Sequence, residues 1–546
     1  MRHITWAAVV SGFVCAMGCG SRDPQLETQA TVVDVQTLGS DIAYVQSTGQ
    51  LQRVNVMSDL PKPETTKSNV RSGPWKLAKR PQPADASVAE ELLVLSNGLA
   101  DAHGQVLEKP ALTAVTVANE QRVYDLSQQN QLLRLSPNGK YAVLFDDPSA
   151  ASSNALLTNE NEIAIVDLSK DPASGDPGNP VIRTLDAVGG APQELWFANL
   201  DSIGDFVLFS FPKGVSLRQL NVANDRGHKI DLASWVPNAG SGARPVADAK
   251  VDSDTTNKDV RKIYLRNTAS PDVQVISVTK DKDSGAIGVS QNTLTVGSSA
   301  PSDFHVYSLP ADPTAAITAG VNTRLLATVG KQVAVVDADS NTVTAVPLGY
   351  AATRILPFTG TSPKDSSIKQ RALLYAPDQA GVTFVDLEDL EQKTTKALQP
   401  LDLGEALGTV LQLQSLPNSL VIFLKSGGVE VLDLQARRWS PFGSNVTLTT
   451  TIADSTLYRT WVAAPGDNRI GYVDFGDPQS GSIALSIGNI NLDDPIDKFF
   501  RLDSSSSHKA VVTHKRSGGL LTVFDATKPE RSTAIKLEGF LLSHLL

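Results

Sequence analysis

Apolar residues arrive in short bursts along this chain, each rich in Val, Ile and Leu and closed by Asp before a polar turn. The bursts read EIAIVD from Glu162 to Asp167, QVAVVD from Gln332 to Asp337, GVTFVD from Gly381 to Asp386 and VEVLD from Val429 to Asp433. IGYVD from Ile470 to Asp474 and LTVFD from Leu521 to Asp525 continue the series, and weaker relatives end near Asn55, Asn221 and Ser277. Runs this short, enriched in β-branched residues and bounded by turn formers, predict strands. Further strands lie between them. Leu132 to Phe145 (LLRLSPNGKYAVLF) predicts a hairpin, because Asn138 and Gly139 tolerate the positive φ that a tight turn requires. Thr323 to Val329, Arg371 to Tyr375 and Leu420 to Leu424 each precede one of the Asp-terminated strands in the same manner. Long helical periodicity is absent from the body, and Val88 to Leu95 fits a short helix or a strand equally.

From Asp337 onward the strand-end aspartates recur at intervals of roughly 40 to 50 residues, the spacing of a repeat unit. Four short strands in a unit of about 50 residues is the plan of a propeller blade. The phrase from Val333 to Gly349 (VAVVDADSNTVTAVPLG), with the hairpin from Leu132 to Phe145, resembles the YVTN and WD40-like β-propeller families. The resemblance implies an all-β chain built as a β-propeller of degenerate four-stranded blades over residues 131–546. About eight credible units are visible, with one or two poor ones near the N-terminus, which favours a single ring of seven or eight blades and leaves two propellers or one unusually large ring open. Residues 31–130 are less regular and are expected to add extra N-terminal strands. Within them, residues 61–83 are rich in Pro, Lys and Arg without apolar periodicity, which predicts a long solvated loop. Six basic residues (Lys62, Lys67, Arg71, Lys76, Lys79 and Arg80) could make that loop a dock for an acidic partner or for lipid headgroups.

Composition narrows the classes. Apolar residues make up 41% of the 546, which suits a folded chain. Net charge is −10 with scattered Lys and Arg, so no nucleic acid partner is expected, because phosphate binding needs a concentrated basic face. The two cysteines, Cys15 and Cys19, both lie in the first twenty residues. The body therefore has no disulfide, no thiolate metal site and no cysteine nucleophile.

The N-terminus reads as an export signal. Arg2 supplies charge, and Ile4 to Val14 is an apolar run too short for a stable bilayer span. Ala16, Met17, Gly18 and Cys19 then resemble the lipobox of bacterial lipoproteins, although Ala16 departs from the usual Leu, Val or Ile. The resemblance implies removal of residues 1–18 by cleavage after Gly18, lipidation of Cys19, and a short tether over 19–30. Gly20 and Ser21 follow the cysteine in place of the Asp that retains lipoproteins in the inner membrane of enteric bacteria. By the same resemblance, the protein is expected to be exported and held in the cell envelope at the outer membrane.

Candidate chemistry is sparse. The strand-end residues Asp167, Asp337, Asp386, Asp433, Asp474 and Asp525 read as structural turn formers, since an Asp there accepts hydrogen bonds from N–H groups one or two residues on. Asn138 and Gly139 belong to the same class. Asp337, Asp339 and Asn341 alternate like the start of a calcium loop, but Thr342 and Leu348 occupy the positions that need Gly and Glu. His508 and His514 lie six residues apart on one strand face without further ligands nearby. No Gly-x-Ser-x-Gly elbow, P-loop or dinucleotide Gly motif occurs. No catalytic residue, metal ligand or cofactor is therefore expected. The leading expectation is a non-enzymatic envelope lipoprotein whose propeller loops bind a protein or glycan partner. The alternative is a propeller enzyme, lactonase-like or quinone-dependent, with its site at the ring centre. The anchor has a direct test: Cys19→Ser should abolish incorporation of radiolabelled palmitate and move the protein from the membrane to the soluble fraction. A Cys19→Ser protein that stayed processed and membrane-bound would refute the anchor.

Overall fold

The computed structural model describes residues 31–536 except 58–62, 83–88, 102, 104, 148–158, 174–179, 213, 223–226, 231–245, 253–258, 311–320, 362–367, 392–396, 413–418, 426–428, 435–437, 443–449, 455–458, 464–465, 475–485, 504–506, 515–519 and 530–531. Cys15, Gly18 and Cys19 fall outside the described residues. Strands dominate, with a single short α-helix, Leu387–Glu391, among the described residues. No helix there is long and apolar enough to cross a membrane.

The strands assemble into ten four-stranded antiparallel sheets, each built from four strands met in chain order. They span residues 32–69, 75–125, 132–185, 194–230, 248–295, 303–347, 354–402, 407–442, 450–491 and 496–536, numbered here as blades 1 to 10. Blade 2 carries an extra hairpin, Leu99–Ala100 with Val106–Glu108, between its second and third strands. First strands touch one another from blade to blade: Val32–Leu38 meets Trp75–Lys79, and a continuous series joins the first strands of blades 4 to 7. They therefore face the axis. Fourth strands lie outermost, as Val343–Pro347 shows by alternating exposed and half-buried residues.

The two middle strands of a blade are sandwiched between neighbouring blades, which explains why they read as uninterrupted apolar runs. Successive side chains point to opposite faces. In Glu91–Ser96, Leu92 and Val94 pack against blade 1, while Leu93 and Leu95 pack against blade 3. In Gln332–Asp337, Ala334 and Val336 face blade 5, and Val333 and Val335 face blade 7. Among the described residues such clusters join each blade from 1 to 7 to the next, 9 to 10, and 10 back to 1. The fold is a β-propeller.

Closure is face to face. Among the described residues blade 1 is wholly N-terminal and blade 10 wholly C-terminal, with no strand shared between them. Val35, Ile42, Tyr44, Val54 and Val56 of blade 1 bury against Leu502, Val511, Leu521 and Val523 of blade 10. Lys498 Nζ adds an ion pair to Asp34 Oδ1 at 2.5 Å and donates to the Val35 carbonyl at 3.3 Å.

Three sequence expectations change. The irregular N-terminal region resolves into two complete sheets of the common design, so the described sheets number ten, above the favoured seven or eight and in line with the larger ring left open, and the boundary at 131 disappears. Residues 61–83 are not one long loop: Pro63–Asn69 is the outer strand of blade 1, and Trp75–Lys79 is the inner strand of blade 2. An inner strand borders the axis and needs few apolar residues, so only Leu77 of Trp75–Lys79 is fully buried and no periodicity is visible. Glu91–Ser96 is a strand, which settles the ambiguity of that stretch.

Closure should depend on the apolar cluster more than on the ion pair. Leu521→Ala removes a fully buried side chain and should destabilise by about 2–5 kcal/mol. Lys498→Met breaks a half-exposed pair worth no more than about 1 kcal/mol. Urea titration of both variants should give this order, and the reverse order would show that the ion pair dominates.

Candidate functional site

The strand-end aspartates sit in separate blades and bond to the ring itself. Asp167 Oδ1 accepts from the Ser169 N–H at 3.0 Å and from its hydroxyl. Asp337 Oδ1 accepts from the N–H groups of Asp339 (2.9 Å) and Ser340 (3.0 Å), and Asp525 Oδ1 accepts from Thr527 N–H (2.8 Å) and hydroxyl (2.6 Å). Burial would raise the Asp337 carboxyl, but those N–H groups and Arg324 hold it below the usual carboxylate range. Asp525 behaves likewise, held down by Thr527 and Lys509 against burial.

Asp386 and Asp474 show a role other than the turn. Each pairs with the Arg directly across the ladder: Arg371 Nε to Asp386 at 2.7 Å and Arg459 Nη2 to Asp474 at 2.6 Å. Arg324 stands opposite Asp337 in the same register, at 3.1 Å. Residues facing each other on adjacent strands are close enough for such pairs. For Asp433 only the backbone is described, pairing with Ser419 and Arg438.

The Ser136–Lys140 turn closes by Gly139 N–H to the Ser136 carbonyl (2.9 Å), with Ser136 and Lys140 donating to Asn138 Oδ1. Only Gly139 takes positive φ, +66°, and a Cβ there would meet the Pro81 carbonyl oxygen at 2.0 Å. The sequence showed that Gly139 suits a turn; its close approach to blade 2 is a tertiary constraint. In the calcium-like loop, Asp339 pairs with Lys262 at 3.0 Å, while Asp337 is held by the turn and Arg324. His514 Nδ1 donates to the Asp494 carbonyl (2.9 Å), and Nε2 meets the Thr522 hydroxyl (2.7 Å). His508 starts the strand that His514 ends, about 20 Å away at strand rise, so the two share no site.

On the axis, Asp34 and Asp303 repeat one arrangement in blades 1 and 6. Each accepts from its own next N–H (2.8 Å) and from the first strand of the following blade, at Leu77 N or Ile355 N (2.8 Å). Each also receives a Lys from the preceding blade, Lys498 or Lys250. These axial charges are used to join blades.

The junction of blades 2 and 3 carries two depressions. A rim groove of about 680 Å³ runs between their outer strands, Gln121–Asp125 and Val181–Leu185. Arg71, Lys109, Asp125 and Arg183 line it together with Val106, Pro110, Val123, Pro172, Pro180 and Val181. Arg71 pairs with Asp125 at 2.7 Å, and Arg183 with the buried Glu162 at 2.6 Å. The extra hairpin exposes Leu99, Val106 and Leu107, the last at 60%. A second chamber of about 470 Å³ is lined by Arg80, Glu91, Arg122, Asn138, Lys140, Leu168 and Ser169. Sequence reading missed both, because the groove draws its residues from four separate stretches and the chamber from five. The one available signal was the basic stretch 61–83, which supplies Arg71 and Arg80.

No protein family and no curated protein matches the chain. Solved structures similar to it include the dihydro-heme d1 dehydrogenase NirN in complex with DHE, at 10% identity over 87% of this chain and 76% of that one, with a TM-score of 0.35. AztD from Citrobacter koseri is similar at 9% identity over 76% of this chain and 97% of that one, with a TM-score of 0.33. Saccharomyces cerevisiae Sqt1 is similar at 8% identity over 91% and 96%, also with a TM-score of 0.33. At these values the likenesses say nothing of function.

One buried and one half-buried group give the fold a pH signature. Glu430, 3% exposed with Oε2 unbonded, is pushed up to about 7 by burial and by the Glu405 carboxylate. Burial, then Lys250, push His305 down to about 4. A raised carboxyl contributes stability at low pH that is lost as pH climbs from about 4.5 through 7; a depressed imidazole contributes stability lost as pH falls from about 6.5 through 4. Glu430→Gln should therefore stabilise the protein at pH 8 by on the order of 1–3 kcal/mol. The gain should vanish near pH 4.5 and leave the acid limb intact. Equal thermal stability of variant and parent at pH 8 would contradict the buried-acid assignment.

Proposed function

We propose that this chain is an exported lipoprotein, tethered through Cys19, whose ten-bladed ring is a non-enzymatic binding platform in the cell envelope. The observation that carries the reading is the rim groove between blades 2 and 3. A rigid ring with apolar junctions presents there a concave strip bordered by exposed Leu99, Val106 and Leu107. Exposed apolar side chains gathered beside a groove mark interaction surfaces. The lining carries Arg71, Lys109 and Arg183 against Asp125, so charge complementarity favours an extended, acidic segment of a protein partner. Such a segment could also pair with the open edge of Gln121–Asp125, the outer strand of blade 2. The competing reading, a catalytic centre on the axis, would call on Asp34, Asp303, Lys250 and Lys498, which are committed to joining blades.

Site-specific photocrosslinking in intact cells tests the groove. A photoreactive residue replacing Leu107 should yield a discrete protein adduct, lost when Arg71→Glu and Arg183→Glu are added. The same probe at Val222, an exposed apolar position in the loop of blade 4, should yield none. Identical adducts from both positions, or none from Leu107, would refute the groove as the recognition site.

A further inference from the structure

We propose that the chamber between blades 2 and 3 binds a small oxyanion of the phosphate class, a site separate from the rim groove. Three cationic side chains, Arg80, Arg122 and Lys140, line it against one carboxylate, Glu91. Glu91 is already divided between the two guanidinium groups: Oε2 pairs with Arg80 Nη1, and Oε1 with Arg122 Nη2 at 2.5 Å. One negative charge thus neutralises at most one of the three positive ones.

The geometry is fixed from behind. Arg80 is 4% exposed, and its Nε donates to the Gly139 carbonyl at 2.6 Å. Arg122 Nη1 donates to the carbonyls of Leu168 (2.9 Å) and Lys170 (3.3 Å). These bonds hold both guanidinium groups in place at the wall. An excess of positive charge held at the wall of a cavity is a cost that an anion would relieve. Two oriented guanidinium groups suit an oxyanion, which accepts several such bonds at once. Lys140 is less committed, with its Nζ 3.8 Å from Asp205 and 5.1 Å over the Tyr141 ring. Asp205 tempers the positive field but is not part of the lining. Ser169 and Asn138 add a hydroxyl and an amide at the wall.

The position of the chamber selects between a soluble anion and a lipid headgroup. The chain enters blade 1 at the Ser47 turn, where Thr31 and Ser47 are bonded, and the first strand leads from there to Leu38. The chamber lies at the other end of the ring. Arg80 follows the first strand of blade 2, Glu91 begins the second, and Gly39 N–H at the end of the first strand of blade 1 bonds Glu90. If the tether is anchored as proposed above, the chamber faces away from the membrane. A soluble phosphate-type anion is therefore the expected ligand.

Calorimetry on the detergent-purified full chain at constant ionic strength tests this with inorganic phosphate. Binding at one site is expected, weakened at least about tenfold in Lys140→Met and in Arg122→Gln, since each removes a charge-assisted bond. Lys282→Met, an exposed lysine in blade 5, should bind as the parent does. Unchanged melting of Lys140→Met would separate lost binding from lost folding. Absence of binding at millimolar phosphate, or equal weakening by Lys282→Met, would overturn the site. Flotation of the Cys19→Ser chain with vesicles containing phosphatidic acid, dependent on Lys140, would overturn the soluble ligand in favour of a headgroup. Crosslinking at Leu107 does not depend on Lys140, so failure of one site leaves the other standing.

Discussion

The structure depends on closing a ring whose two ends, among the described residues, share no strand. Blade 10 lies flat on blade 1, and side chains hold it there. Ile42, Tyr44, Val54 and Val511 are fully buried at this junction. Burying each such side chain contributes about 1.5–3 kcal/mol, well above a half-exposed ion pair. Lys498 and Asp34 therefore set alignment more than strength: Asp34 also accepts the Leu77 N–H, so one carboxylate fixes three successive inner strands. The same device recurs at Lys250, Asp303 and Ile355, five blades further round. Closure is thus one case of a general junction, with axial straps on opposite sides of the ring.

That constraint explains what was legible in the chain. Middle strands are covered on both faces, so EIAIVD, QVAVVD and GVTFVD stand out as dense β-branched runs and disclose the repeat. Inner and outer strands are half-exposed and carry weak patterns. Trp75–Lys79 and Pro63–Asn69 were obscured for that reason, so the first two blades were legible only as poor, irregular units. The terminal aspartates were legible as residues with a structural task, and Asp167, Asp337 and Asp525 cap turns. The opposing Arg324, Arg371 and Arg459 were not, because the ladder register that pairs them is set by hairpins of varying length.

The candidate sites were less legible still. Arg71, Asp125 and Arg183 belong to three strands or loops of two blades, and Arg80, Glu91, Arg122 and Lys140 are similarly dispersed. Gly139 shows the difficulty well. Asn-Gly announces a turn, yet nothing local says that the turn must fit against Pro81 and offer its carbonyl to Arg80. The signal that did exist, a basic stretch without periodicity, pointed to the right blade and the wrong local structure.

Polar side chains at a propeller junction have a consequence for recognition. An apolar junction leaves no donor or acceptor to satisfy, so it can close without remainder. The junction of blades 2 and 3 instead places two arginines and a glutamate at its margin, where full pairing within the ring would require equal numbers of opposite charge. Glu91 serves both Arg80 and Arg122, and the imbalance stays local because the neighbouring carbonyls of Gly139, Leu168 and Lys170 hold the guanidinium groups in place. A rigid scaffold cannot relax such an imbalance by moving. Water or an anion must complete it, and an anion alone also balances the charge. The rigidity that ring closure imposes is therefore what turns an uneven junction into a place for a ligand.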